Sequence, residues 1–398
     1  MICRVNGRDF AAVALSLLLA ACADVPTGPA ADPGPLGANA PANLRTRTYY
    51  VAADVVLWDY APGDRDRISG IPFEEHPHAG TFVLQGEHRV GSAYYKILYR
   101  EYTDATFTTL KEDADPEYRA RWSHLGTLGP PLLAQVRDTI RVVFRNNSLQ
   151  PVSVHPHGVF YDNDSEGAPY CKDPIPNAPC PVSLDDAVPP GQMVTYVWPV
   201  PERAGPAAMD GSSILWMYHS HTDEVKDTNT GLIGPIIITA RGKITASGKP
   251  IDVDREFVFL YTIYDENESW LLDQSINAFA GDPAGVDPED DDFRESNLMH
   301  AINGWVYGYQ PIEWVTMRRG ERVRWYMLGM GTEVDIHTPH WHGQSGVVMG
   351  MRTDIVELLP ASMKVFDMEP DNPGTWLFHC HVNDHINAGM LTRFYVLP

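Results

Sequence analysis

The chain has 398 residues, 44% hydrophobic and 21% charged, enough apolar content for packed cores and too much for wholesale disorder. Thirty basic against 52 acidic residues leave a formal charge of −22, a surface that repels phosphate backbones and argues against nucleic acid as a partner. The long apolar run Phe10–Ala21 is shorter than the ~20 residues that cross a bilayer, so a polytopic membrane protein is excluded as well.

That run is flanked as an export signal. Arg4 and Arg8 precede it and small residues lead to Cys22, the order of n-region, h-region and cleavage site. The string Leu19-Ala20-Ala21-Cys22 also resembles a bacterial lipobox, in which the cysteine is lipidated and becomes the first mature residue. The expectation is a signal peptide over 1–21 and an exported, periplasmic or cell-surface protein that meets a membrane only through a lipid anchor at Cys22. Residues 22–44, rich in Pro, Gly and Ala and without apolar periodicity, read as a flexible tether.

From Thr48 onward, short β-branched and aromatic runs alternate with Gly, Pro, Asn and Asp. Strands are expected at Tyr49–Trp58, Tyr94–Tyr99, Thr139–Phe144, Met193–Val197, Gly234–Thr239, Glu256–Ile263, Arg322–Leu328 and Leu391–Val396, with no long amphipathic helix. This is an all-β chain of β-sandwich domains. Between the third and fourth strands, Cys171 and Cys180 bracket a Pro-rich loop, which in an exported protein predicts a disulfide. The acidic run Asp287–Asp292 reads as a solvated loop, with the capacity to concentrate cations.

The two halves repeat one plan, so the expected domains are 45–242 and 243–398. The first contains His155-Pro156-His157-Gly158 and Trp216-Met217-Tyr218-His219-Ser220-His221, and the second His340-Trp341-His342-Gly343 and Trp376-Leu377-Phe378-His379-Cys380-His381. Residues i and i+2 of a strand share a face, so each His-X-His presents two imidazoles side by side. Four such pairs, matched between halves, make a metal cluster rather than a chance of surface composition. Cys380 lies between two of these histidines and points to the other face. His385 and Met390 follow it and His337 precedes the third pair, which is the His₂Cys-plus-Met set of a blue-copper centre. The strand through His379-Cys380-His381 thus joins two metal sites by a covalent path for single electrons. His76, His78, His88 and His124 match no copper motif.

These residues carry a family resemblance. Together with Leu125-Gly126-Thr127-Leu128-Gly129-Pro130, Gly231-Leu232-Ile233-Gly234-Pro235, Asp265-Glu266-Asn267-Glu268-Ser269-Trp270, Met299-His300-Ala301-Ile302-Asn303-Gly304 and Gly329-Met330-Gly331-Thr332-Glu333, the chain resembles the multicopper oxidases over about residues 48–398. Within them it is most similar to the ceruloplasmin and hephaestin branch. The resemblance implies two cupredoxin-like Greek-key domains and, per chain, one type 1, one type 2 and two type 3 coppers. Type 1 copper would take His337, Cys380, His385 and Met390; type 2, His155 and His340; and the type 3 pair, His157, His219, His221, His342, His379 and His381. Ser220 stands where Cys380 does in the other half, so the first domain should lack type 1 copper.

The implied reaction oxidises a small reductant one electron at a time and reduces dioxygen to water. By the same resemblance Glu295, His300, Asp384 and Glu333, the last given by a neighbouring chain, would bind Fe²⁺ beside type 1 copper. Glu166 and Asp223 would relay protons, and Asp185 with Asp186 matches a calcium-binding stretch. In the family a trinuclear cluster lies between domains of the two kinds, and for a chain of two domains the resemblance implies a homotrimeric ring, the alternative being a monomer that folds back on itself. The alternatives are a laccase-like oxidase of phenols or aromatic amines and a non-catalytic copper-binding module. A copper nitrite reductase also has two cupredoxin domains, but carries type 1 copper in the first and lacks the eight cluster imidazoles.

Overall fold

The computed structural model describes residues 45–172, 180–332 and 334–398, so the expected signal, tether, Cys22 and Glu333 lie outside the described residues. Among the described residues four sheets carry the fold, and none mixes strands from before Thr239 with strands after Arg255. All eight strands expected from the sequence are present.

The two halves follow one strand plan. In the first, Thr46–Asp59 pairs antiparallel with Ala93–Tyr102 and parallel with Thr139–Asn146, which pairs with Met193–Pro199. In the second, Arg255–Asp265 pairs antiparallel with Leu298–Ile302 and parallel with Val323–Gly329, which pairs with Ser362–Met368. The opposing sheets also correspond. Ser213–His219 lies between Ile233–Thr239 and the two-residue strand His155–Pro156, and Gly374–Cys380 lies between Leu391–Leu397 and Pro339–Trp341. Each pair of sheets closes on its own core, one holding Val51, Val142, Tyr196 and Ile236, the other Phe257, Trp325, Trp341 and Phe378.

A third core, with Tyr60, Tyr94 and Leu128 from the first half and Tyr264, Val306 and Tyr326 from the second, packs between them. Burial there demands that polar groups be paired. His124 accepts from the Val258 N–H at 2.9 Å, and burial holds it neutral, its pKa lowered to about 3. Lys96 donates to Glu266 and to the Asn229 carbonyl, and the Tyr60 hydroxyl donates to the same carboxylate oxygen. Both charges are fully buried. Removing one leaves the other uncompensated, so Lys96→Ala is expected to lower stability by about 3–5 kcal/mol, read from denaturant unfolding.

The helices are short; the longest among the described residues is Leu272–Phe279. The acidic run is not a plain loop. Asp290 caps the helix Asp291–Ser296 by accepting from Phe293 N–H at 2.9 Å, and that helix carries Glu295. Negative side chains in a first turn suit the helix dipole, which is why acids can begin a helix here. Cys171 and Cys180 are disulfide-bonded.

Candidate metal centre

Strand register assembles the histidines. In the first half His155 is the ladder partner of His219, and in the second His340 is the partner of His379. Directly opposed antiparallel residues share a face, so each half gathers four imidazoles. Ring centroids within the first quartet lie 5.1–5.6 Å apart (His155–His221 to His155–His157), and His157 Nε2 is 3.2 Å from His219 Nε2. In the second quartet His342 Nε2 is 3.0 Å from His379 Nε2, and the ligand atoms of His340, His342 and His379 lie within 4.8 Å of one another. Gly158 and Gly343 explain why glycine ends each His-X-His-Gly segment. Both have positive φ, and a Cβ would strike the Trp216 or Trp376 ring of the opposing strand.

Backbone carbonyls set the tautomers. His155 Nδ1 donates to Glu166 O at 2.7 Å, His219 to Ser220 O at 3.0 Å, His340 to Asp354 O at 3.0 Å, and His379 to Cys380 O at 2.6 Å. Each therefore keeps a bare Nε2 for a metal. Burial lowers the His157, His219 and His379 pKa values to about 4, so the rings are neutral and ready to ligate at neutral pH.

Cys380 turns to the opposite side, into the second-half core. Its Sγ lies 3.6 Å from His385 Nδ1, and His337, Cys380 and His385, all buried, have ligand atoms within 4.8 Å of one another. His337 uses the other tautomer: its Nε2 donates to Met330 O at 3.2 Å, and its buried Nδ1 has no hydrogen-bond partner. An unpaired buried imidazole nitrogen beside a thiol and a second imidazole fits a soft, N/S-ligated copper ion. Met390 is fully buried in the same core. Burial raises the thiol pKa of Cys380, so a metal binding there must displace its proton. Thr338 was not foreseen: its N–H meets Cys380 Sγ at 3.3 Å, a donor that would tune the sulfur.

Beside this group opens a cavity of about 860 Å³ lined by Glu295, His300, Asp384 and His385. The His300 ring is 5.3 Å from that of His385, and its Nδ1 donates to Leu298 O at 2.9 Å, leaving Nε2 free. Glu295 and Asp384 are exposed. These three share the cavity without forming one of the triads whose ligand atoms lie within 4.8 Å. Thr332 and Val334, the neighbours of Glu333, also line it.

The remaining candidates are engaged in local structure. The Glu166 carboxylate accepts from the Tyr170 hydroxyl at 3.0 Å, and Asp223 caps the helix Glu224–Thr230. Asp186 pairs with Lys172 at 3.0 Å, and Asp185 accepts from Gly167 N–H. Sequence reasoning missed Asp227, fully buried, which accepts from Ser220 Oγ at 2.5 Å and Trp270 Nε1 at 2.9 Å. This network fills the place in the first half that the Cys380 site fills in the second.

The sequence pattern of the multicopper oxidase family matches residues 124–243 and again 286–398. Over 353 residues, 88% of this chain, it is 43% identical to the mouse protein Ferroxidase HEPHL1 and 41% identical to human hephaestin. It is 39% identical to human ceruloplasmin over 89% of this chain. The chain spans only 29–31% of the length of these relatives. Among solved structures, a multicopper oxidase superposes with a TM-score of 0.54 at 17% identity, covering 89% of both chains. A copper nitrite reductase from Nitrosomonas europaea gives 0.52 at 16%, covering 88% of this chain and 94% of the other. Both likenesses are of fold.

Proposed function

The chain belongs to the multicopper oxidase family, and from that premise we propose that it is a ferroxidase, oxidising Fe²⁺ to Fe³⁺ and passing the electrons to dioxygen. Bound copper would supply one-electron acceptance at one site and four-electron reduction of dioxygen at the other. His337, Cys380, His385 and Met390 would hold the first, type 1. His155 and His340 would hold type 2, and His157, His219, His221, His342, His379 and His381 the type 3 pair. Between the sites, the Cys380 backbone is the path: Sγ faces His337 and His385, while the flanking His379 and His381 face the quartet.

One observation carries the choice of Fe²⁺. The cavity that reaches His385 is rich in carboxylates, Glu295 and Asp384 among them, and holds the His300 imidazole with a free Nε2. Carboxylate oxygen is a hard ligand that favours Fe³⁺ over Fe²⁺ and so lowers the barrier to electron loss. Glu333 completes the set in this reading. For proton delivery Glu166 is better placed than Asp223. Its carbonyl orients His155 and its carboxylate is nine-tenths buried beside the quartet, whereas Asp223 is committed to a helix cap. Asp185 and Asp186 would be the calcium ligands of the same reading, and Asp186 pairs here with Lys172 at 3.0 Å.

The two quartets would form one trinuclear cluster only between chains. No imidazole of the first is in ring contact with one of the second among the described residues, and His221 and His381 open to the surface. A homotrimer follows. Export and lipidation at Cys22 belong to the same reading.

The test is oxygen consumption by copper-loaded protein with Fe²⁺ and with a bulky phenol. Glu295→Ala should lower kcat/KM for Fe²⁺ by about 10- to 100-fold and affect the phenol far less. The cavity is also large enough for an organic reductant. Phenol turnover with iron rates indifferent to Glu295 would make this a laccase-like enzyme, and no oxygen uptake with either would leave a copper-binding module.

A further inference from the structure

Away from the cavity at His385, a second set of metal-type donors converges. Glu87, His88 and Asp282 place one ligand atom each within 4.8 Å of one another, although they come from opposite halves of the sequence. Main-chain bonds hold the two segments together: Asp282 N–H donates to Glu87 O at 2.7 Å and Gly281 N–H to Gly86 O at 2.9 Å. His88 Nε2 and Asp282 Oδ2 stand 3.9 Å apart, too far for a hydrogen bond. The neighbour facing both is Gly285, where a Cβ would sit 2.7 Å from His88 Nε2 and 2.6 Å from Asp282 Oδ2. The backbone there is not in the left-handed region, so what a larger residue would disturb at 285 is the placement of these two side-chain ends and not the main chain.

Glu87 and His88 line a cavity of about 740 Å³ that also takes in His76, Asp287, Asp290 and Asp292. His78 lines both this cavity and the one holding Glu295, His300 and Asp384. The two therefore share a wall, and both are lined by acids, those of the outer one standing beside Arg89.

We propose that Glu87, His88 and Asp282 form a divalent-cation site that receives Fe²⁺ before it reaches the inner cavity. Two carboxylates and one imidazole, with no thiolate or thioether, suit Fe²⁺, Mn²⁺ or Zn²⁺ and not Cu⁺. Three protein ligands leave the other positions to water, so the ion is held exchangeably. The aspartates of the same cavity raise the local cation concentration. The site's role rests on the ferroxidase reading; its existence does not.

The probe is Mn²⁺, titrated into copper-loaded protein and counted from the electron paramagnetic resonance of the free ion. Wild-type protein should bind an equivalent that Glu87→Gln and Asp282→Asn each weaken by at least ~10-fold. Gly285→Ala should do the same while keeping every ligand residue, because its methyl displaces only the ends of two flexible side chains. Glu295→Ala should keep this equivalent. Undiminished binding in all three outer variants would overturn the proposal, as would binding lost in Glu295→Ala alone. Mn²⁺ bound at this site in a protein that does not oxidise Fe²⁺ would uphold the site and sink the ferroxidase reading.

Discussion

Cys380→Ser is expected to remove one copper per chain, abolish the thiolate-to-copper charge-transfer band, and cut turnover of every reductant by more than ~100-fold, beyond what loss of an outer-sphere partner costs. The fold should survive, because the chain already contains this substitution in its other half. Ser220 has the same two histidine neighbours and follows the same opposed-histidine ladder pair, and it is fully buried without strain. There the hydroxyl donates to Asp227, an acceptor for which the second half has His385 and Met390 instead. A serine at 380 meets the His337 and His385 imidazoles, which neither replace the thiolate nor need it for packing. Metal analysis, the visible spectrum and circular dichroism on one preparation decide the matter. Retention of the fourth copper together with the colour would show that Cys380 is not its ligand.

That comparison also shows what the sequence could and could not disclose. Alternation with period two places His379 and His381 on one face and Cys380 on the other, so the ligand sets could be grouped before any coordinates. The glycine after the first His-X-His of each half and the tryptophan before the second were visible as motifs, but their contact across the ladder needed the register. Hydrogen-bond partners supplied by main chain left no mark at all. Asp354 orients His340 through its carbonyl, and any residue would offer that group. Asp227 lies in a short helix and accepts from Trp270 of the other half. The Glu87, His88 and Asp282 group was invisible for the same reason: two loops far apart in sequence meet only through main-chain bonds. Local periodicity reveals what one strand presents; it cannot reveal which loops the fold brings together.

The arrangement of the quartets leads to the second large effect. A chain with His155→Ala and His157→Ala keeps only half of its first quartet, and one with His340→Ala and His342→Ala only half of its second; each alone should be inactive in oxygen reduction. Co-expressed, they should recover activity if the cluster forms between copies. In a ring the second quartet of one copy faces the first of the next, a head-to-tail interface that closes after three. Every mixed ring then contains one junction at which both quartets are intact. Random one-to-one assembly makes roughly three-quarters of rings mixed with one good junction in three, so about one quarter of wild-type activity should return. The Cys380 site of the contributing chain is untouched at that junction and sits one residue from His379, so electrons have their path. A cluster closed within one chain predicts no recovery, because neither mutant ever holds both quartets. Recovery near one quarter, with the mixed species at trimer mass, would fix both the assembly and the division of ligands between neighbours; its absence would place the cluster within a single copy.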